Sequence, residues 1–498
     1  MKNIAKALMA GALISMAATT ASAQAGHPYI HDPSTLAECD GKWYTFGTGQ
    51  GGLISEDGGY TWESGYMKGE ELIRANRPGG GAAPDVIKIG DRYLVAYGAT
   101  GGGLGGSHRG RMLTMWNKTL DPASPDFKYS EPVEVAASVD GDDFDCIDPC
   151  LFLDPTTGRL WLTCGTYFGE IRLFELDPKT GARVQGNKEV TVAIDCEASA
   201  LFYKDGWYYL LGTHGTCCDG VNSTYNIVCG RSKTVTGPYL DNVGRPMTQG
   251  GGKMVVKATP DGKQVGAGHF GRTVVADGIE KMSFHWEADF VQGGMSALAI
   301  RPIVWKNAWP VSGDVVTEGV YELESQRHGY SLELAVDFQR LNVARRRGGF
   351  GGQTQSEEIK PVETQKLADV QGTWATGEIT LRNGDYMGRP HQQWQLTPVA
   401  DKGGFLGQPY YKITIAGTNR ALAATAGKEV TTVPEYTGAD EQLWQIDQLT
   451  DSTYRIMPKS IPGTSKKLAL ISIADSTPTL GDFDFNNDNC KWMLRGIK

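Results

Sequence analysis

The sequence predicts an all-β chain whose larger, N-terminal part is a five-bladed β-propeller. Three observations lead to this prediction: a composition rich in glycine and aromatic residues, a pattern that recurs five times, and an acidic or histidine residue near the start of each copy. Of the 498 residues, 65 are Gly, 12 are Trp and 20 are Tyr, which favours short strands joined by tight turns. Because one compact domain seldom exceeds about 300 residues, we expect a second domain.

Each copy of the pattern combines a short apolar run, a glycine-containing turn and an aromatic-rich strand, which together predict a β-hairpin. The turn of the first copy is Asp40-Gly41 and that of the fourth is Asp205-Gly206, since glycine tolerates a positive φ. The copies begin at His31, Ala83, Ile147, Cys196 and Gly268. A β-sandwich is the alternative, but it does not explain the acidic or histidine opening. In a propeller the first strand of each blade lines the central channel, so these residues would converge at the axis.

Three carboxylates on the predicted blade-opening strands, Asp32, Asp148 and Glu197, are candidates for acid–base chemistry, and Asp85 is a fourth. Hydrolysis of a glycosidic bond needs one protonated carboxyl group to assist the leaving oxygen and one ionised group. Like charges held close together cannot all ionise easily, so one member of such a cluster keeps its proton. The alternative for each residue is a hydrogen bond at a turn or strand end.

Six short motifs, in order over residues 27 to about 320, resemble those of glycoside hydrolase family 43. They are His31-Asp32-Pro33-Ser34, Ala83-Pro84-Asp85-Val86, Ile147-Asp148-Pro149, Cys196-Glu197-Ala198-Ser199, Gly268-His269 and Ile300-Arg301-Pro302-Ile303-Val304-Trp305. The resemblance implies an inverting enzyme that acts on arabinan or arabinose-containing plant polysaccharide, as an endo-arabinanase or an α-L-arabinofuranosidase. A β-xylosidase of the same family is the first alternative.

The resemblance also implies a role for each acid. Asp32 would be the general base that deprotonates the attacking water, and Glu197 the general acid. Asp148 would orient Glu197 and raise its pKa by like-charge repulsion. In an inverting enzyme the donor and acceptor lie about 6.5–9.5 Å apart, which leaves room for water.

Further residues of the motifs are candidates for substrate binding. They are His31, Asp85, Thr213, Cys217, Cys218 and Arg301. The alternative for Asp85 is a structural role, and the alternative for Arg301 is a structural salt bridge. Residues 212–220 form a predicted pocket rim, in which we expect two free thiols, with a disulfide between neighbours as the alternative.

His269 resembles the axial histidine that holds a calcium-type ion in arabinanases of the family. Calcium prefers oxygen ligands, so a histidine-bound ion would need water to complete its shell. The alternative is a histidine that is hydrogen-bonded near the catalytic base.

A second repeat follows a glycine- and arginine-rich stretch. Its copies are Gln392-Gln393-Trp394, Gln442-Leu443-Trp444 and Asn489-Cys490-Lys491-Trp492. These resemble the Gln-x-Trp repeat of ricin-type β-trefoils, in which the Trp is expected to be a core residue. The predicted domains are therefore a propeller over 24–345, a linker over 346–364 and a carbohydrate-binding-like trefoil over 365–498.

Residues 1–23 read as a secretory signal peptide, with Lys2 and Lys6 before an apolar run that is too short to span a bilayer. We therefore expect export to the periplasm or the cell exterior, with no membrane span. The net charge of −9 argues against nucleic acid as a partner and suits a neutral ligand. The expected partner is plant cell-wall polysaccharide such as arabinan or arabinoxylan, bound by a monomer.

Two alternatives from other classes remain open. One is a non-catalytic surface glycan-binding protein built on the same two scaffolds. The other is a fructan-active enzyme that would retain configuration, with its two carboxyl groups only about 5–5.5 Å apart.

Overall fold

The computed structural model describes residues 24–49, 51–65, 80–100, 109–327, 329–336, 379–388, 390–473 and 478–497. The predicted signal peptide and the predicted linker lie outside these ranges. In the described part of the chain β-strands dominate, and the helical elements are short 3-10 turns at Gly220–Asn222, Met247–Gln249, Phe290–Gln292, Pro390–Gln392, Asp440–Gln442 and Asp488–Cys490. No helix among these residues has the length and apolar character needed to cross a membrane.

The predicted five-bladed propeller is confirmed. Each blade is a sheet of four main strands that follow one another in sequence and pair antiparallel. Blade 1 comprises Ala37–Cys39, Lys42–Phe46, Gly52–Ser55 and Thr61–Gly65, with Ala25–Gly26 added at its edge; blade 2 comprises Gly80–Ile89, Arg92–Thr100, Gly110–Asn117 and Val133–Ser138; blade 3 comprises Cys150–Leu153, Leu160–Cys164, Glu170–Leu176 and Val190–Ile194; blade 4 comprises Glu197–Lys204, Trp207–His214, Asn226–Ser232 and Lys253–Val256; blade 5 comprises Gln264–Gly268, Ile279–Asp289, Met295–Lys306 and Trp309–Ser312, with Val274–Ala276 paired to its second strand.

The tight turns within the blades have the predicted backbone conformation. Asp40 and Gly41 have φ values of 53° and 78°, and Asp205 and Gly206 have 50° and 78°. Two successive positive φ values define the hairpin turn whose twist matches that of the strands. The Asp-Gly pairs therefore fix the register of the first two strands in blades 1 and 4.

The N-terminal segment closes the ring by pairing with the last blade. The backbone N–H of Ile30 donates to the carbonyl of Ser296, and that of Leu298 donates to the carbonyl of Pro28. This pairing joins the segment that carries the first predicted carboxylate to blade 5. The first and last blades are thereby held together without a covalent link, which limits exposed strand edges.

The C-terminal region forms a closed six-stranded barrel with additional hairpins, as expected for a β-trefoil. The barrel strands are Gly319–Ser325, Gln393–Phe405, Gln408–Ile415, Leu443–Gln448, Tyr454–Pro458 and Trp492–Ile497, and the remaining strands are Tyr330–Val336, Ile379–Asp385, Ala421–Ala424, Val430–Val433, Ala469–Ile471 and Thr479–Gly481.

The three Trp residues of the second repeat are core residues with equivalent contacts. Each is fully buried. The indole N–H groups of Trp394, Trp444 and Trp492 donate to the carbonyls of Leu332, Leu422 and Leu470, respectively. The same hydrogen bond therefore recurs in each third of the trefoil, as the core interpretation requires.

The predicted boundary between the two domains is too late in the sequence. Gly319–Ser325, which we assigned to the propeller, pairs with Gln393–Phe405 and with Trp492–Ile497 of the trefoil barrel. Tyr330–Val336 pairs with Ile379–Asp385. The predicted linker over 346–364 therefore lies between two paired strands of one trefoil repeat and does not connect the domains.

The trefoil packs against blades 1 and 5 of the propeller. The backbone N–H of Gly407 donates to the carbonyl of Gly59, and Leu406 is part of an apolar cluster with Trp62 and Leu298. A Cβ on Gly59 would lie 2.4 Å from Leu406, so this close approach requires glycine. The two domains are thus in direct contact.

Candidate active site

One residue in each of the first five sequence motifs has a left-handed backbone conformation that residues other than glycine rarely adopt. These residues are Asp32, Ala83, Asp148, Ala198 and His269, with φ values of 54°, 44°, 53°, 47° and 54°. Such a conformation costs about 1–2 kcal/mol per residue and persists where the surrounding structure enforces it, often at functional sites. In blades 2 and 4 this residue is an alanine. Asp85 follows Ala83 by two residues, and Glu197 directly precedes Ala198.

Asp32 lies in a pocket of hydrogen-bonding and cationic groups. Its Oδ2 accepts a hydrogen bond of 2.6 Å from Thr48 Oγ1, and its Oδ1 lies 3.5 Å from His269 Nδ1. Burial alone would raise the pKa of Asp32, but the His31 and His269 imidazoles hold it well below its usual range. Asp32 is therefore an ionised carboxylate, as a proton acceptor must be.

His285 and Glu287 complete the surroundings of Asp32, and the sequence analysis did not identify them as site residues. The backbone N–H of Asp32 donates to His285 Nδ1 at 3.0 Å, so the ring proton resides on Nε2, which lies 3.2 Å from Glu287 Oε1. His285 is fully buried, and burial lowers its pKa. The neutral His285 ring therefore fixes the backbone of Asp32 and is itself oriented by Glu287.

Glu197 has the opposite electrostatic environment. It is 5% exposed, and burial raises its pKa, as do the nearby charges of Asp148, Asp32 and Glu287. The Tyr225 hydroxyl donates to Glu197 Oε1. Glu197 is therefore protonated near neutral pH, as a proton donor must be. Tyr225 is a third site residue that the sequence analysis missed.

Gly268 allows these groups to lie close together. A Cβ at this position would lie 2.5 Å from the Tyr225 ring and 3.1 Å from His285 Nε2. Any larger residue would displace one of the two rings that position Glu197 and Asp32. The Gly268-His269 motif is thus explained in part by packing.

Asp148 links the other two carboxylates. Its Oδ2 accepts a hydrogen bond of 3.2 Å from the backbone N–H of Ala198, which follows Glu197 in the chain. Burial raises the pKa of Asp148, His269 lowers it and Asp32 raises it. Since the charge of each acid acts on the next, Asp32, Asp148 and Glu197 belong to one electrostatic cluster.

Thr213 is joined to this cluster through the backbone of His269. It is fully buried, and its Oγ1 accepts a hydrogen bond of 2.9 Å from the backbone N–H of His269. The expected substrate contact of Thr213 stays a prediction. Thr213 fixes the backbone of His269, whose pKa is lowered by burial and raised to a greater extent by Asp32 and Asp148.

The described side chains around His269 do not fit a calcium shell built by the protein. The clusters of three or more His, Cys, Asp and Glu side chains found among the described residues are His31, Asp32 and His285, and His31, Cys217, Cys218 and Glu287. Neither includes His269, and calcium prefers six to eight oxygen ligands. The calcium ion at His269 stays a prediction, and no chemical step is assigned to it.

Asp85 is the centre of a buried ion pair. It is 3% exposed, and Arg272 Nη1 donates to its Oδ2. Its two oxygens also accept hydrogen bonds from the backbone N–H groups of Thr35 and Leu151, at 3.2 Å and 2.8 Å. Asp85 and Arg272 therefore join inner segments of blades 1, 2, 3 and 5, and the expected substrate contact of Asp85 stays a prediction.

Arg301 also interacts with other side chains of the protein. It is 8% exposed, its Nη2 donates to Gln264 Oε1 at 3.0 Å, and the carboxylates that act on its pKa belong to Asp314 and Asp289. No hydrogen bond or ion pair among the described residues joins Arg301 to the carboxylate cluster. The hydrogen bond of Arg301 is therefore made to another protein side chain, and its expected sugar contact stays a prediction.

The expectation of two free thiols at the pocket rim is wrong, because Cys217 and Cys218 form a disulfide. Their loop follows the strand Trp207–His214, and Cys218 Sγ lies 3.9 Å from His31 Nε2. His31 itself lies 3.4 Å from Asp32 Oδ2 and is partly exposed. His31 and the disulfide therefore border the carboxylate cluster, where a substrate could reach them.

Comparison with known proteins assigns both halves of the chain to known families. The sequence model described as Glycosyl hydrolases family 43 matches residues 61–310, and that described as Ricin-type beta-trefoil lectin domain-like matches residues 390–462. The extracellular exo-alpha-(1->5)-L-arabinofuranosidase of Cellvibrio japonicus is 33% identical over 306 residues, which cover 56% of this chain and 85% of that protein. The extracellular endo-alpha-(1->5)-L-arabinanase 1 of Bacillus subtilis is 29% identical over 324 residues, covering 61% and 94%.

A solved structure agrees with these matches. The crystal structure of an exo-1,5-alpha-L-arabinanase from a bovine ruminal metagenomic library is similar with a TM-score of 0.52 and 29% identity, over 60% of this chain and 99% of that one. The fold, the carboxylate cluster and the sequence matches agree: this chain belongs to glycoside hydrolase family 43 and carries a C-terminal ricin-type β-trefoil domain.

Proposed function

We propose that this protein hydrolyses α-L-arabinofuranosyl linkages of arabinan or another arabinose-containing plant polysaccharide, with inversion of configuration. The observation that carries the proposal is the opposite perturbation of two carboxyl groups in one cluster. The pKa of Asp32 is lowered and that of Glu197 is raised, which is the division of labour that glycoside hydrolysis needs. The names of both arabinan-active relatives support the substrate class.

In this mechanism Asp32 accepts a proton from the water that attacks the anomeric carbon. The bond between that carbon and the leaving oxygen breaks, and Glu197 gives its proton to the oxygen. Thr48 and His285 hold Asp32 in place, while Tyr225 holds Glu197. Burial, together with the charge of Asp148, keeps the proton on Glu197 until the leaving oxygen takes it.

The trefoil and the predicted signal peptide support a proposal that the protein degrades polysaccharide outside the cytoplasm. A ricin-type lectin-like domain in contact with blades 1 and 5 supports a proposal that it binds the polymer from which the propeller releases sugar. The relatives in Cellvibrio japonicus and Bacillus subtilis are named extracellular proteins. We therefore propose that the protein is exported and acts on plant cell-wall polysaccharide.

Release of sugar from defined substrates tests the proposal. We expect the wild-type protein to release arabinose or arabino-oligosaccharides from linear arabinan, and Glu197→Gln to lose at least about 10³-fold in kcat on this substrate. Glu280→Gln is a matched control, since Glu280 pairs with Lys204, which lies at the opposite end of the strand Glu197–Lys204 from Glu197. Preferential release of xylose from xylo-oligosaccharides would favour the β-xylosidase alternative. Binding of arabinan without any release would favour the non-catalytic alternative.

A further inference from the structure

The Cys217–Cys218 disulfide borders the carboxylate cluster, but it has no role in the proposed mechanism. It lies in the loop between Trp207–His214 and the 3-10 turn Gly220–Asn222, with Cys217 half-buried and Cys218 exposed. The Nε2 of His31 lies 3.9 Å from Cys218 Sγ, and Glu287 belongs to the same group of side chains. The disulfide is therefore in van der Waals contact with a residue that borders the proton acceptor.

The placement of His31 depends on packing rather than on strong hydrogen bonds. Its Nε2 is 3.4 Å from Asp32 Oδ2 and its Nδ1 is 3.7 Å from Glu287 Oε1, both longer than a normal hydrogen bond. The ring packs against that of His285 at an interplanar angle of 31°, with 4.6 Å between centroids. The Sγ atoms of Cys217 and Cys218 also lie within 4.8 Å of a nitrogen of the His31 ring, so loss of the covalent bond between them would allow the ring to move.

We propose that the Cys217–Cys218 disulfide is a positioning element that holds His31 against Asp32, and that its reduction by a dithiol lowers the rate of catalysis. This inference rests on the proposed function. In the reaction one thiolate of the dithiol attacks a disulfide sulfur, and its second thiol then completes the exchange. Cys217 and Cys218 gain two protons and two electrons as free thiols, and the dithiol becomes a cyclic disulfide.

The Cys217–Cys218 bond is the single disulfide among the nine cysteines of the protein. All nine cysteines lie in the described part of the chain, and the other seven, Cys39, Cys146, Cys150, Cys164, Cys196, Cys229 and Cys490, are free and buried. A reductant therefore has one target, and a thiol reagent applied to the folded protein reports on that target alone. Disulfides persist in oxidising compartments, which agrees with the proposed export.

Thiol counting on the folded protein tests whether the bond forms and can be reduced. We expect no reactive thiol before treatment with dithiothreitol and two after it, as measured with a maleimide and mass spectrometry. The labelled peptide should contain Cys217 and Cys218. Two reactive thiols before treatment, or none after it, would overturn the inference.

Steady-state kinetics on an aryl α-L-arabinofuranoside test the positioning role. We expect reduction to lower the wild-type kcat about tenfold, with KM changed less than about twofold, because a displaced acid–base pair affects the chemical step more than binding. Cys217→Ser/Cys218→Ser should have the low kcat with or without dithiothreitol. Cys490→Ser, which replaces a buried free thiol of the trefoil, should keep the wild-type response.

His31→Ala shows whether the disulfide acts through His31. If it does, His31→Ala loses about as much kcat as reduction does, and reduction of this variant produces no further loss, because the two changes remove one interaction. An unchanged kcat after reduction, or a raised KM with an unchanged kcat, would overturn the inference while the proposed function survives. No turnover by the oxidised wild-type protein would overturn the proposed function and this inference with it.

Discussion

The two domains use internal repetition in opposite ways. The left-handed position that recurs in the propeller carries Asp32, Ala83, Asp148, Ala198 and His269, so three kinds of side chain occupy five equivalent places. The buried position that recurs in the trefoil carries Trp in all three places, each with the same hydrogen bond to a Leu carbonyl. Equivalent backbone positions therefore diversify in one domain and stay identical in the other.

Physical context explains the difference. Three of the five propeller residues, Asp32, Asp148 and His269, act on one another, so unlike side chains are needed at equivalent positions. The proton donor Glu197 precedes the fourth of these positions in the chain. Each Trp of the trefoil instead fills its own share of the core and satisfies one buried carbonyl, and any smaller residue would leave a cavity and an unpaired oxygen. Divergence among repeats thus marks the reaction site, while uniformity marks the core.

The comparison predicts its largest effect for Asp32→Asn. Asparagine has a similar volume and tolerates a positive φ, so the propeller should fold normally. Loss of the proton acceptor should lower kcat by about 10³-fold, equivalent to about 4 kcal/mol of activation free energy. Circular dichroism and initial rates on linear arabinan provide the measurement, and a variant with wild-type kcat would remove Asp32 from the mechanism.

The opposite outcome is expected for Trp444→Ala. Removal of this fully buried side chain should lower the free energy of unfolding by about 3 kcal/mol, because it leaves a cavity and an unpaired Leu422 carbonyl. The kcat of the folded fraction should stay within about twofold of wild type. Urea unfolding followed by fluorescence measures the first quantity. An unchanged midpoint would show that the Trp positions are not equivalent core sites.

The smallest effect concerns pH dependence. The charge of Asp148 raises the pKa of Glu197, and a raised pKa keeps a general acid protonated to higher pH. Asp148→Asn removes that charge, so the alkaline limb of the kcat profile should shift to lower pH, by about one unit. A shift to higher pH, or no shift with wild-type kcat, would contradict the proposed coupling.

The sequence predicted the features that follow from local pattern. The five hairpin repeats and their Asp-Gly turns indicated the propeller, and the Gln-x-Trp copies indicated the trefoil. Asp32, Asp148 and Glu197 were expected near one axis, and the structure brings them into one cluster. Each of these features is encoded within a few neighbouring residues.

The features that the sequence did not reveal depend on contacts between distant segments. His285 lies on the second strand of blade 5 and Tyr225 in a loop of blade 4, and only the packing of the blades brings them to Asp32 and Glu197. Asp85 was expected to face substrate because nothing in its motif shows that Arg272 neutralises it. The trefoil boundary was placed too late because a long insertion separates Tyr330–Val336 from its partner Ile379–Asp385.

The configuration of the first sugar released tests the central claim most directly. Proton nuclear magnetic resonance, recorded in the first minutes of hydrolysis of an α-L-arabinofuranoside, distinguishes the two anomers before they interconvert. An ionised Asp32 that activates water opposite a protonated Glu197 predicts that the β-anomer is released first. Initial release of the α-anomer would show that a carboxylate attacks the sugar itself, and would contradict the roles assigned to Asp32 and Glu197.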